Sequence, residues 1–298
     1  MNDMKSHFFT GKGGTGKTTM AASFARRLAG EGRKTLLVSL DPAHSLADLL
    51  SFVAKGENDC AGTLTVHEPD FDSITADYLK QQLDTLRGMN SRLTAFNLDN
   101  LLDTLQYSPG QEEYAVALYL RRILNRSNDF EHAVFDTPPT GMVLRIFTLP
   151  LRSILWLERL IALREKIVDR RELIGKIRKA DKAQSYYRDD PVLTKLRNLA
   201  SDYSNLARFF TEEARIYLVI NCDRLALAES ARLRDKLSRI GMEFSGIIHN
   251  RFNESADTAP LESAGFDPGM MIRVPELTGD EAARANLPVD LAEELKAL

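Results

Sequence analysis

A chain of 298 residues with 44% hydrophobic and 27% charged content has the make-up of an ordinary soluble protein, long enough for one large domain or one domain with a helical elaboration. Its 39 Lys and Arg against 42 Asp and Glu leave a formal net charge of -3. That gives no long-range attraction to nucleic acid or anionic lipid and argues against both as partners, although a local basic patch can hide beneath such an average. The opening MNDMKSHFF lacks the apolar core of a signal peptide, and no later run approaches the roughly 18 apolar residues of a membrane span, so a cytoplasmic location is expected. The two cysteines, Cys60 and Cys222, form no C-x-x-C pair and read as reduced thiols.

In chain order the first predicted strand is HFFT, residues 7 to 10. It runs into GKGGTGKT, residues 11 to 18, which fits G-x-x-x-x-G-K-[ST], and a helical pattern, TMAASFARRLA, follows. Strand, glycine turn and helix in that order make a phosphate cradle: the glycines let backbone N–H groups point at an anion, and the helix terminus adds its dipole. The candidate nucleotide-binding set is therefore Gly11, Lys12, Gly13, Gly14, Thr15, Gly16, Lys17, Thr18 and Thr19, with Lys17 reaching the β and γ phosphates and the Thr18 hydroxyl a ligand for Mg2+. Lys12 is surplus to that cradle, and its role is the open question of this segment.

The second strand, TLLVSL at 35 to 40, ends in DPAHSLADLL. Asp41 stands at the carboxyl end of a parallel strand, where open α/β sheets bind ligands, and can orient an attacking water. Ser45 and Asp48 suit an N-terminal box for the next helix. After a third strand, LTVHE at 64 to 68, residues 71 to 130 carry no strand signal until HAVFD at 132 to 136. Its terminal Asp136 is placed to hold Mg2+, often through water, beside the phosphate-loop strand, and Thr137 to Gly141 form a turn suited to sensing a γ-phosphate. The interval 141 to 213 has helical periodicity: Ile154, Leu157, Leu160, Ile161, Ile167, Val168 and Ile174 recur at three- and four-residue spacings, and a further helix is expected from Pro191 to about Thr211. Three more strands, RIYLVIN, FSGIIHN and MIRVP, close the chain. Several of the seven are nearly continuous in apolar residues, as strands covered on both faces are. The fold class expected is α/β: a single domain, residues 1 to 298, with a doubly wound, mostly parallel sheet flanked by helices, and a helical subdomain from about 71 to 130 and 150 to 210.

The segment GKGGTGKTT resembles the deviant phosphate loop of the class that contains MinD, ParA, nitrogenase iron protein and the arsenite-pump ATPases. DPAHSLADLL, SPGQEEYAVAL at 108 to 118, DTPPTGMVLRIFTLP from 136 and LALAESARL at 225 to 233 are similar, in the same order, to stretches of ArsA and of the guided-entry ATPases for tail-anchored membrane proteins. The resemblance implies Mg2+-dependent ATP hydrolysis in a homodimer, with Lys12 crossing to the partner's nucleotide. The catalytic set is then Asp41, Lys12 and Lys17, and the metal set Thr18 and Asp136. Asn250 matches an adenine-contacting asparagine, and VPELTGD, which contains Pro275, matches a purine-side loop. The partner implied is an unnamed protein client, with a targeting factor for hydrophobic membrane-protein segments and the energising subunit of an anion or arsenite pump as alternatives; a membrane partner fits either. Members of the arsenite branch use a cysteine cluster, and many targeting ATPases clamp zinc through paired C-x-x-C motifs. This sequence has neither, so arsenite activation and a zinc clamp are not expected.

Overall fold

The computed structural model describes residues 4–41, 63–89, 110–125, 129–177, 190–253, 259–267, 271–276 and 291–297. Among the described residues seven strands form one sheet: β1 (Lys5–Thr10), β2 (Thr35–Ser39), β3 (Leu64–His67), β4 (His132–Asp136), β5 (Ala214–Ile220), β6 (Gly246–Phe252) and β7 (Met271–Pro275). Their spatial order is β3-β2-β4-β1-β5-β6-β7, and every pairing is parallel. The apolar runs dictate this. All five residues of β2 are buried, as are the last five of β1 and of β5, so these strands need a helix layer on each face. Edge strands obey a different rule: β3 has three exposed residues of four, and β7 alternates buried with exposed.

Helix α1 (Lys17–Gly30) supplies one covering layer. Its Met20, Ala21, Phe24, Ala25 and Leu28 pack on Phe9, Leu37, Val134, Tyr217 and Val219 from four strands. Truncating one of these aromatics removes on the order of 3 to 5 kcal/mol. Helices α2 (Phe71–Met89) and α3 (Gln111–Leu124) follow, then α4 (Thr140–Ile177), α5 (Pro191–Arg208), α6 (Arg224–Ser238), α7 (Ala259–Ser263) and α8 (Leu291–Ala297). Leu291 and Leu295 of α8 join the α1 core.

Two compact units partition the chain: Met1–Ile146 with Glu213–Leu298, and Phe147–Glu212. The second holds most of α4, then α5 and all but the last residue of a π turn at Phe209–Glu213. Inside it, Leu157, Val168, Leu193 and Leu206 are buried, and the Phe147 and Phe210 rings lie 4.8 Å apart. α5 begins where the sequence sets a start signal. Asp190 accepts from the Leu193 N–H at 2.8 Å with Pro191 in the first turn, and the Arg164 guanidinium donates to both Asp190 carboxylate oxygens at 3.1 and 2.8 Å. α4 continues through Pro150, which has no N–H to give the helix ladder. Among the described residues no helix is long and apolar enough to cross a membrane.

Candidate functional site

The loop Gly11–Gly16 leaves the carboxyl end of β1, flanked by β4 on one side and β5 on the other. Two glycines are required by geometry. A Cβ on Gly11 would lie 2.2 Å from the Val219 carbonyl oxygen. Gly16, at φ 95, is the N-cap of α1, and a Cβ there would lie 2.3 Å from Asn250 Nδ2. No side chain caps α1, so its first-turn N–H groups face the loop as an anion cradle. The Lys12 carbonyl gathers the loop: Thr15 donates to it from backbone N at 3.3 Å and from Oγ1 at 2.9 Å, and Lys17 Nζ at 3.4 Å. Gly13 and Gly14 are exposed, and Thr19 lies half-buried in the first turn of α1.

Lys17 and Asp136 form the buried electrostatic centre. Asp136 is paired in register with Phe9 of β1 and Ser39 of β2, and it accepts from the Thr18 hydroxyl at 2.7 Å. Its second carboxylate oxygen, Oδ1, is buried without a hydrogen-bond partner. Burial pushes the Asp136 carboxyl up to about 7, outweighing the Thr18 bond and Lys17 that act in the other direction. Burial also lowers the Lys17 ammonium from its ordinary value, against the pull of Asp136, Asp41 and Glu229. A carboxylate with one orphaned oxygen beside a threonine hydroxyl is the donor set a hard divalent cation takes, so the residues present fit Mg2+. Asp41 follows β2; its N–H donates to Ser39 Oγ at 3.4 Å, and its charge reaches both Lys17 and Asp136.

Lys12 lies on the opposite side of the loop, its Nζ 3.0 Å from Asp223 Oδ2. That ammonium holds the Asp223 carboxyl below the usual range, while Asp223 Oδ1 accepts from Leu225 N–H at 3.1 Å as the N-cap of α6. The proposed sensor turn is tied at both ends. Thr137 donates from its hydroxyl to the Phe9 carbonyl at 2.9 Å, and Thr140, at the start of α4, donates to Glu229 of α6. Asn250 Nδ2 donates to the Thr15 carbonyl at 2.8 Å and its Oδ1 accepts from Arg251 N–H, so the amide also braces the phosphate loop. Pro275 is exposed at the end of edge strand β7, in register with Phe252. Ser45, Asp48 and Cys60 lie outside the described residues; Cys222 Sγ sits 3.2 Å from His249 Nε2.

Asp223 and Glu229 escaped the sequence reading. The signal for Asp223 was available, since it follows the end of a strand just as Asp41 does. Glu229 carries no such mark, because its relation to Thr140 depends on where α6 packs.

An all-parallel sheet whose central strand feeds a glycine loop, with lysine and threonine at the helix start and an aspartate on the adjoining strand, defines a phosphate-loop nucleotide triphosphatase. Residues 4–262 match the model of the anion-transporting ATPase family, and the chain belongs to that family; it is an ATPase. A protein of Aquifex aeolicus (strain VF5), provisionally named arsenical pump-driving ATPase 2, is 28% identical over 83% of this chain and 80% of its own length. The ATPase ASNA1 homolog of Cryptosporidium parvum (strain Iowa II) is 29% identical over 84% of this chain, and ATPase GET3B of Arabidopsis thaliana 30% identical over 83%. The chain spans 66% and 64% of the length of these last two.

Proposed function

We propose that this chain is a Mg2+-dependent ATPase that acts as a homodimer and couples hydrolysis to a conformational change in a protein client. The observation that carries the reading is the Thr18–Asp136 pair with its orphaned Asp136 Oδ1 at the mouth of the phosphate loop. The loop amides and Lys17 hold the triphosphate. Thr18 and Asp136 hold Mg2+, which when bound draws negative charge from the phosphoryl oxygens. Asp41 accepts a hydrogen bond from the attacking water and orients it. Lys12 leaves Asp223 and completes the partner's site, and Thr137 to Gly141 pass the state of the γ-phosphate to α4.

The test is Asp41→Asn. Turnover is expected to fall about 100-fold or more with ATP affinity within a few-fold of wild type. Normal turnover in this variant removes Asp41 from the mechanism. Sedimentation of the ATP-trapped variant should give twice the chain mass.

A second reading, energising an anion pump, follows the name of the Aquifex relative. Its signature is stimulation of hydrolysis by arsenite or antimonite. We expect none, because a soft metalloid needs converging thiolates and the chain has two cysteines in all.

A further inference from the structure

Within the unit Phe147–Glu212, α4 buries one side on Leu157 and Val168. At about 100° per residue, the opposite side is an arc of roughly 100°, bounded by Leu155 and Leu173 on one edge and Trp156 on the other. All three side chains are more than 60% exposed, and Leu163, also exposed, lies between them. The same arc carries Arg152, Arg159, Lys166 and Arg170, all exposed, and none of these four forms an ion pair or hydrogen bond among the described residues. No acid falls in the arc between Arg152 and Leu173. Glu158, Glu165 and Asp169 project beyond its Leu155 edge. The result is a ridge about 30 Å long in which leucine and tryptophan alternate with unpaired cations.

We propose that this ridge of α4 docks on an anionic lipid surface. Charge and shape together select that occupant. A face meant only for water has no use for Trp156 and three exposed leucines. A face meant for an uncharged apolar segment would have to desolvate four cations without partners. Lipid phosphates pair with the cations, whose methylene stems lie along the surface, while indole and leucine sink among the acyl chains. The overall charge of -3 conceals the ridge, because the acids lie elsewhere.

Trp156 is the only tryptophan in the chain and reports its own environment. The full-length protein is mixed with vesicles of phosphatidylcholine alone, or of equal parts phosphatidylcholine and phosphatidylglycerol. Co-sedimentation and a blue shift of Trp156 emission are expected with the anionic vesicles only, both reversed by salt. Each surface cation contributes about five-fold to partitioning, so Arg159→Gln with Lys166→Gln should lower it on the order of 25-fold. The double variant should hydrolyse ATP as wild type does without vesicles, which also reports that it has folded. Equal binding to neutral vesicles, or none to anionic ones, overturns the proposal. So does a blue shift that grows with protein concentration alone, the mark of a second copy on the ridge, or one produced by an acidic amphipathic peptide but not by lipid. The lipid and salt comparisons use the wild-type chain and decide the matter even if the double variant misfolds.

Discussion

Asp136 is expected to destabilise the nucleotide-free chain, and replacing it with asparagine should show this as a pH-dependent crossover. Its carboxyl is raised from 3.8 to about 7, chiefly by burial. A group whose folded pKa lies above its unfolded one binds more protons when folded, so its ionisation opposes folding increasingly as pH rises through that window. The penalty relative to a neutral side chain is absent below about pH 4 and reaches about 4 kcal/mol above pH 7, some three units at 1.36 kcal/mol each. Asparagine can still accept from Thr18, but its amide takes the place of the orphaned Oδ1 and leaves buried N–H groups unpaired, a cost of about 1 to 3 kcal/mol at every pH. The variant should therefore be less stable than wild type near pH 4 and more stable at pH 8. Between pH 5 and pH 8 its relative stability should rise by roughly 2.5 kcal/mol, a slope independent of the amide offset. Urea unfolding of both proteins in chelator measures it. Adding Mg2+ and ATP should then raise the melting temperature of wild type more than that of the variant, since the cation compensates the carboxylate only where one exists. A stability difference that does not change with pH would refute the reasoning, because it would mean that Asp136 is already compensated in the free chain.

Gly16→Ala places a Cβ against Asn250 Nδ2 at positive φ, costing about 1 to 2 kcal/mol in backbone strain alone; ATP affinity by titration calorimetry should fall at least about tenfold, since the loop brace is displaced. Lys12→Ala removes only an exposed ion pair and should leave unfolding nearly unchanged, while turnover drops by 100-fold or more; mixing it with Asp41→Asn should restore activity, because a mixed dimer has one site with both groups, and failure to recover would place Lys12 in cis. His132 Nδ1 lies 3.1 Å from His7 Nε2, and burial, followed by the nearby Lys5, lowers His132 to about 4. Both rings are held neutral, so this pair contributes stability that is complete above about pH 6.5 and lost as pH falls toward 4; His132→Gln should flatten the acid limb of the unfolding profile, and an unchanged limb would exclude the pair as its source.

What the sequence made legible was local. Seven apolar runs became seven strands within two residues at each end, and the glycine loop, the Asp190-Pro191 start of α5 and the acids closing β2 and β4 each announce themselves within a few residues of chain. What it could not yield were pairings that depend on strand order. Lys12 meets Asp223 across 211 positions and Asn250 meets Thr15 across 235, whereas Thr18 and Asp136, 118 positions apart, were legible as a pair only through their motifs. Helix α4 offered a further obstacle, since its passage through Pro150 depends on packing that no local propensity encodes.

The strand order explains why those distant residues converge. Asp41, Asp136, the glycine loop and Asp223 each follow or end one of β2, β4, β1 and β5, and Asn250 lies two residues before the end of β6; these five strands are consecutive neighbours in the sheet. Because every pairing is parallel, their carboxyl ends all open on one edge, and the residues stand there in that spatial order. The loop therefore has Asp41 and Asp136 on one flank and Asp223 with Asn250 on the other. Lys17, at the helix start, is drawn toward the first flank, where Asp136 and Asp41 act on its ammonium. Lys12, near the loop's beginning, is drawn to the second, where Asp223 takes it. The two lysines of one loop are thus drawn by carboxylates on different flanks, which leaves Lys12 partly exposed, as the proposed service to a second chain requires, and Lys17 buried.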